Sequence, residues 1–152
     1  FFDKNLIEWL NNNSNLPVHL ADNDIHPLGG HVYFAPSDYH LTFTKKNASD
    51  YVLTLNHDEQ INFLRPSVDK MFESATQLFG DKCIGVLLTG MGSDGARGCC
   101  ELKKAGSYVI TQNEQSCVIY GMPKAAYEAG GSTEVLPLNE IADRIMQLCG
   151  KM

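Results

Sequence analysis

Residues 85–98 read GVLLTGMGSDGARG: an apolar run, then glycines at positions 90, 92 and 95 around an aspartate, then the opening of a helix. Few local patterns constrain a fold as tightly. The unbroken stretch Ile84–Leu88 predicts a strand covered on both faces, which requires helices on either side of a parallel sheet. The glycines allow a sharp turn into the next helix. Asp94 is the odd member, because a glycine-rich loop ahead of a helix is ordinarily a cradle for an anion.

The rest of the second half supplies the partners that such a strand needs. Pro66 falls in the first turn of a helix running to about Phe79, with Val68, Phe72, Ala75 and Phe79 at helical spacing and Gly80 as its stop. After the glycine turn a helix runs to Ala105, followed by Gly106 and a strand over Ser107–Thr111. A further helix begins near Pro123 and ends at Gly130-Gly131. Glu134–Leu136 is a short strand, and Ile141, Ile145 and Leu148 line a closing helix. Strands alternating with helices predict an α/β fold with a doubly wound, mainly parallel sheet.

The first half has a different texture. Asp3 is placed as the N-cap of a helix carrying Leu6, Ile7 and Leu10 on one face, ended by the asparagine-rich run 11–15. Val18–Ala21 is a short strand, and the segments 22–24 and 27–30 are turn chemistry. Tyr39–Thr44 and Tyr51–Leu55, joined by residues 45–50, read as a small antiparallel hairpin. There is no internal repeat and no low-complexity segment. The 152 residues suffice for one domain, which at this size buries about 68–70% of its unfolded surface.

Composition removes several classes of function. A formal net charge of −6, with lysines and arginines scattered rather than striped, argues against a nucleic-acid partner. No apolar run approaches the ~20 residues of a membrane span, so no direct membrane insertion is expected, and no secretory signal is visible. Five cysteines without a C-x-x-C pair suit small core residues in a reducing cytosol better than disulfides or structural zinc. Histidines 19, 26, 31, 40 and 57 lack metal-ligand spacing and are expected at the surface or in turns, so no metal site is expected.

Residues 90–95 match G-x-G-x-x-G, and Tyr120 to Lys124 has a Y-x-x-x-K spacing, so a dinucleotide site has to be weighed. It fails on charge. Asp94 would sit where the pyrophosphate binds, and a like-charge contact at ~4 Å costs on the order of 1–4 kcal/mol. The second pattern fails on geometry, because a helix starting at Pro123 leaves Tyr120 outside it. Two readings of Asp94 remain. It can cap the following helix, or it can orient an imidazole from a loop at the carboxyl end of a buried strand, where open parallel sheets place their sites.

With those residues in view, LLTGMGSDGARG resembles the signature of the catalytic domain of the chemotaxis protein-glutamate methylesterase (CheB) family. Similar family motifs follow in order: Gly30–Pro36, His40-Leu41, Arg65–Asp69, Tyr120–Ala125 and Val135–Leu138. The resemblance implies a hydrolase that removes methyl esters from glutamate side chains of bacterial chemoreceptors, in many members also deamidating glutamines, without a cofactor and in the cytoplasm. It implies a Ser-His-Asp triad with Asp94 as the aspartate. The backbone near Met91 and Gly92 would serve the oxyanion, and Arg65 and Ser67 would lie on the substrate face.

The chain also departs from the family pattern. Leu64 stands where members commonly carry histidine. The G-[AS]-S-T-G turn with the nucleophile is not present, and Ser93 adjoins Asp94 without a base between them. Residues 1–152 are therefore expected to be a partial methylesterase catalytic domain, roughly its last three-quarters. The first strands, the catalytic serine and histidine, and the family's receiver domain would be absent, and the chain alone would be inactive. A receptor-docking remnant without catalysis is the alternative from the binding class.

Overall fold

The computed structural model describes residues 2–150, so positions 1, 151 and 152 of the expected domain lie outside the described residues. The backbone forms two compact units, Phe1–Met71 and Phe72–Met152. It is a mixed α/β structure with parallel sheets and one antiparallel pair.

The first unit begins with α1 (Phe2–Asn13), followed by β1 (Val18–Leu20) and β2 (Val32–Phe34). The two strands pair in parallel, Val18 opposite Val32 and Leu20 opposite Phe34. Asn11 joins helix to strand. Its carboxamide donates to the Val18 carbonyl and accepts the Val18 N–H, both at 2.7 Å, in the manner of a neighbouring strand. Asp3 does not cap α1, which already includes it. Its carboxylate instead accepts the Ser37 N–H and hydroxyl, each at 2.8 Å, and these bonds hold the Asp3 carboxyl below its usual value.

The expected hairpin is present as β3 (His40–Asn47) and β4 (Asp50–Asn56), longer than the sequence implied. Lys45–Asn47 continue the strand through a bulge, so the connection shrinks to Ala48-Ser49. Leu53 exchanges both backbone bonds with Ile25, at 2.8 and 3.2 Å, so the connection after β1 also adds to β4. Ala21, Leu41 and Leu53 form the core here, with Tyr33, Phe43, Leu55 and Met71 packed against them.

The boundary between the units falls inside α2 (Val68–Phe79). Pro66 stays outside this helix, contrary to the expectation from sequence. Ser67 Oγ accepts the Lys70 N–H at 3.5 Å, the bond of a capping serine, so the helix starts at Val68, two residues beyond the proline.

The second unit holds a three-stranded parallel sheet in the order β5 (Ile84–Leu87), β6 (Tyr108–Gln112), β7 (Glu134–Leu136). The helices α3 (Ala96–Lys104), α4 (Met122–Glu128) and α5 (Leu138–Cys149) alternate with these strands. The strand buried on both faces is β6, whose Val109 and Ile110 are fully buried. β5 alternates between half-buried and buried positions, so one of its faces is covered less than the other.

Helix ends in this unit follow the glycines. Gly106 (φ +98) and Ser107 donate to Lys103 and Leu102, and Gly130 (φ +81) and Gly131 donate to Tyr127 and Ala126. Both are Schellman endings, with glycine in the left-handed position. Phe72 and Ala75 of α2 are buried, and Ile141 of α5 is too, as the spacing implied.

Gly131 has a second role. A Cβ there would lie 2.9 Å from the Cys100 backbone nitrogen and 3.0 Å from Cys99 Cβ, atoms of α3 that cannot swing aside. Gly131→Ala should destabilise the fold by about 1–3 kcal/mol, lowering the melting midpoint by roughly 2–4 °C per kcal/mol. Gly29→Ala, where nothing lies within 4 Å, should leave the midpoint nearly unchanged. Thermal melts of both variants in the full-length protein check the contrast.

Candidate active site

The loop between β5 and α3 lies at the carboxyl end of the parallel sheet, and two of its glycines take backbone conformations closed to most side chains. Gly92 has φ +97 and Gly95 has φ +96. Gly95 is the residue that immediately precedes α3, so Asp94 stands one position further out. Exposure falls sharply along the loop, with 91–93 exposed and 94–95 buried. Met91 is 80% exposed, whereas Asp94 is 5% exposed. The loop thus keeps a carboxylate recessed at the positive end of a nine-residue helix, a position that favours negative charge, while the Met91 side chain stands in solvent.

The base of the loop is fixed by backbone bonds. Gly90 donates to the Ile119 carbonyl at 3.1 Å, and its own carbonyl accepts Gly121 at 3.2 Å and Met122 at 2.8 Å. Gly121 approaches so closely that a Cβ there would lie 2.7 Å from the Gly90 oxygen and 3.0 Å from the Gly92 nitrogen. Tyr120 pairs with Gly90 as an isolated parallel bridge and lies outside α4. Burial first, then the negative charge of Glu114, pushes its hydroxyl up from the ordinary tyrosine value. A tyrosine that exchanges protons with substrate near neutral pH needs the opposite shift.

Arg65 and Ser67 belong to the first unit, and each is engaged there. Arg65 donates through Nε and Nη2 to Asp38 Oδ1, at 3.1 and 2.7 Å, and through Nη1 to the carbonyls of His57 and Asp58. Its hydrogen bonding holds the Asp38 carboxyl below the usual value, against a smaller opposing effect of burial. Ahead of it, Ile61 and Leu64 exchange backbone bonds across Asn62 and Phe63, both in the left-handed region. Leu64 is 42% exposed.

Ser67 is buried and caps α2, and its N–H donates to His40 Nδ1 at 3.2 Å. His40 Nε2 donates to the Glu59 carbonyl at 3.0 Å. An N–H can only donate and a carbonyl can only accept, so the partners fix the tautomer with the proton on Nε2. His40 is fully buried, in contrast to the surface or turn position expected from sequence. Its place between two backbone groups is what the spacing of histidines could not reveal. His26 and His57 do lie at the surface, their side chains 63% and 50% exposed.

Among the described residues, no group of three or more His, Cys, Asp or Glu side chains is arranged to hold a metal ion. No described helix is long and apolar enough to cross a membrane. The glycine loop offers a different chemistry. A recessed carboxylate can accept the N–H of an imidazole and hold its orientation, and backbone N–H groups near the crest can face a developing oxyanion.

Comparison with known proteins identifies the family. The family model described as CheB methylesterase matches residues 1–145. The protein-glutamate methylesterase/protein-glutamine glutaminase 1 of Cupriavidus metallidurans is 43% identical over 145 residues, 95% of this chain and 40% of that protein. The corresponding protein 4 of Geobacter metallireducens is 44% identical over 147 residues, 97% of this chain and 42% of that protein. The chain thus spans about 40% of the length of these curated relatives. The crystal structure of the Thermotoga maritima CheB methylesterase catalytic domain superposes with a TM-score of 0.92 at 36% identity, covering 97% of this chain and 77% of that one. With its βα loop, its order of elements and a family match over 145 residues, this chain belongs to the CheB methylesterase family.

Proposed function

We propose that this chain is the greater part of the catalytic domain of a protein-glutamate methylesterase, and that Asp94 is the acid of its Ser-His-Asp triad. The substrates are methyl esters of glutamate side chains on bacterial chemoreceptors in the cytoplasm. The glutaminase in the relatives' names supports deamidation of glutamine at the same site. The serine and histidine belong to the parent protein outside residues 1–152, together with a receiver domain in cis, and residues 1–152 alone are inactive. No cofactor takes part.

In this reading the serine oxygen attacks the ester carbon while the histidine takes its proton. Asp94 holds the imidazole tautomer and stabilises the imidazolium. The backbone at Met91 and Gly92 stabilises the tetrahedral oxyanion, and one such donor is typically worth about 3–4 kcal/mol. The imidazolium then protonates the departing methanol, and water attacks the acyl-enzyme by the same route. Arg65 and Ser67 lie on the substrate face. Ser67 sets the start of α2, and Arg65 ties the Asp38 turn to the segment 57–58.

The observation that carries the proposal is the recessed Asp94 carboxylate at the carboxyl end of β5, in a chain of this family. In the full-length gene product, Asp94→Asn should reduce turnover of a glutamate methyl ester by about 10⁴-fold while leaving the melting midpoint close to wild type. Turnover near the wild-type rate would reduce Asp94 to a helix-end residue. A wild-type full-length product that binds receptor yet hydrolyses no ester would make the chain a docking remnant. Titration with NAD or NADP should give no thermal shift, whereas a ligand at 100 times its dissociation constant would stabilise by about 2.7 kcal/mol.

A further inference from the structure

We infer that Thr89 and Gln112 are positioning residues that clamp the base of the glycine loop, and so hold Met91–Asp94 where the ester chemistry needs them. What the loop does rests on the esterase reading; the clamp itself rests on hydrogen bonds. Gln112 ends the central strand β6 and is 1% exposed. Its Oε1 accepts the Thr89 N–H at 2.8 Å, and its Nε2 donates to the Ser116 carbonyl at 2.8 Å and to Ser116 Oγ at 3.2 Å. Thr89 N–H can only donate and the Ser116 carbonyl can only accept, so these partners set the orientation of the amide. Ser116 Oγ in turn donates to Asn113 Oδ1 at 2.6 Å and accepts the N–H of Leu138, the first residue of α5, at 3.0 Å.

Thr89 makes the second half of the clamp. Its hydroxyl donates to the Ile119 carbonyl at 3.0 Å and accepts the Ile119 N–H at 2.9 Å, exchanging both bonds with one residue as a strand neighbour would. The next residue, Gly90, adds its own N–H to the same carbonyl. The backbone is therefore tied at Thr89 and at Gly90, and Met91, Gly92 and Ser93 project from that base exposed. Glycines alone would leave such a projection free to sample many conformations. Oxyanion stabilisation requires donors already in place, and displacement by about 1 Å can cost on the order of 10²-fold in rate. Thr89 is itself exposed, so deleting its hydroxyl should move the loop without emptying a core.

The test uses the full-length protein with a receptor methyl ester as substrate. Thr89→Val keeps the shape and removes the hydroxyl, and should lower kcat by about 10–100-fold with KM little changed and a melting midpoint near wild type. Thr89→Ser, which retains the hydroxyl, should restore most of kcat. Amide hydrogen exchange at Thr89 and Gly90 should accelerate in Gln112→Leu and in Thr89→Val, and stay slow in Asp94→Asn. Unchanged kcat or unchanged exchange in Thr89→Val, or an equal loss of kcat in Thr89→Ser, would overturn the clamp. The two ideas fail separately. Full turnover in Asp94→Asn removes the esterase role while the exchange data still decide the clamp. Lost turnover in Asp94→Asn with normal kcat in Thr89→Val removes the clamp alone.

Discussion

Two stretches of bare backbone meet at Gly90–Gly92 and Gly121, so closely that neither side has room for a methyl group on Gly121. The proposed site depends on that contact. The Gly90 carbonyl accepts the N–H groups of Gly121 and Met122, which open α4 and have no partner within the helix. One carbonyl thereby closes the base of the glycine loop and satisfies the start of a helix some thirty residues away. A side chain at Gly121 would separate both at once. Glycine is required here for close approach, whereas at Gly92 and Gly95 it is required for the left-handed backbone.

The sheet gives this contact something stiff to stand on. β6 is buried along its length after Tyr108, and its last two residues, Thr111 and Gln112, are polar and still almost fully buried. Buried polar groups cost stability unless they are bonded, and here each has a use. Thr111 pairs with Ser132 at 2.7 Å, and Gln112 holds Thr89 and Ser116. At the other end of the strand, Tyr108 meets Arg144 and Glu134, where hydrogen bonds to Tyr108 first and Glu134 next raise the Arg144 pKa. The strand is apolar where it packs and polar where it reaches the loops, so rigidity and loop placement come from the same five residues.

Much of this was legible in the sequence because it is local. Glycine after a periodic apolar run marked the ends of α3 and α4, and β-rich segments around a polar turn marked the hairpin. Most of the failures share one cause, a bond reaching far along the chain. Asp3 looked like an N-cap, yet its carboxylate is taken by Ser37, thirty-four residues on. Pro66 looked like a helix start, but Ser67, held by His40, caps the helix beyond it. β5 looked buried on both faces because hydrophobic runs do not say which neighbours cover them. At the site, the strand-end loop and its carboxylate were visible, whereas Gln112, bonded to a residue twenty-three positions earlier, was not.

The aspartate that disqualified a nucleotide site also explains what the loop can do instead. A glycine loop at a helix N-terminus offers oriented N–H groups and positive potential, and in a phosphate cradle the ligand brings the negative charge. Here the protein supplies that charge itself, recessed in the loop as Asp94. A loop with its anion already in place has little affinity for another. What it can still recognise is a donor that gains positive charge during reaction, and an imidazole taking a proton from serine is such a group. The crest at Met91 and Gly92 is exposed and lies on the far side of that carboxylate in sequence from the helix; in the proposed mechanism its N–H groups serve an oxyanion that exists only in the transition state. In the proposed mechanism one short loop separates the two charges of ester hydrolysis, with the carboxylate beside α3 and N–H donors at the crest.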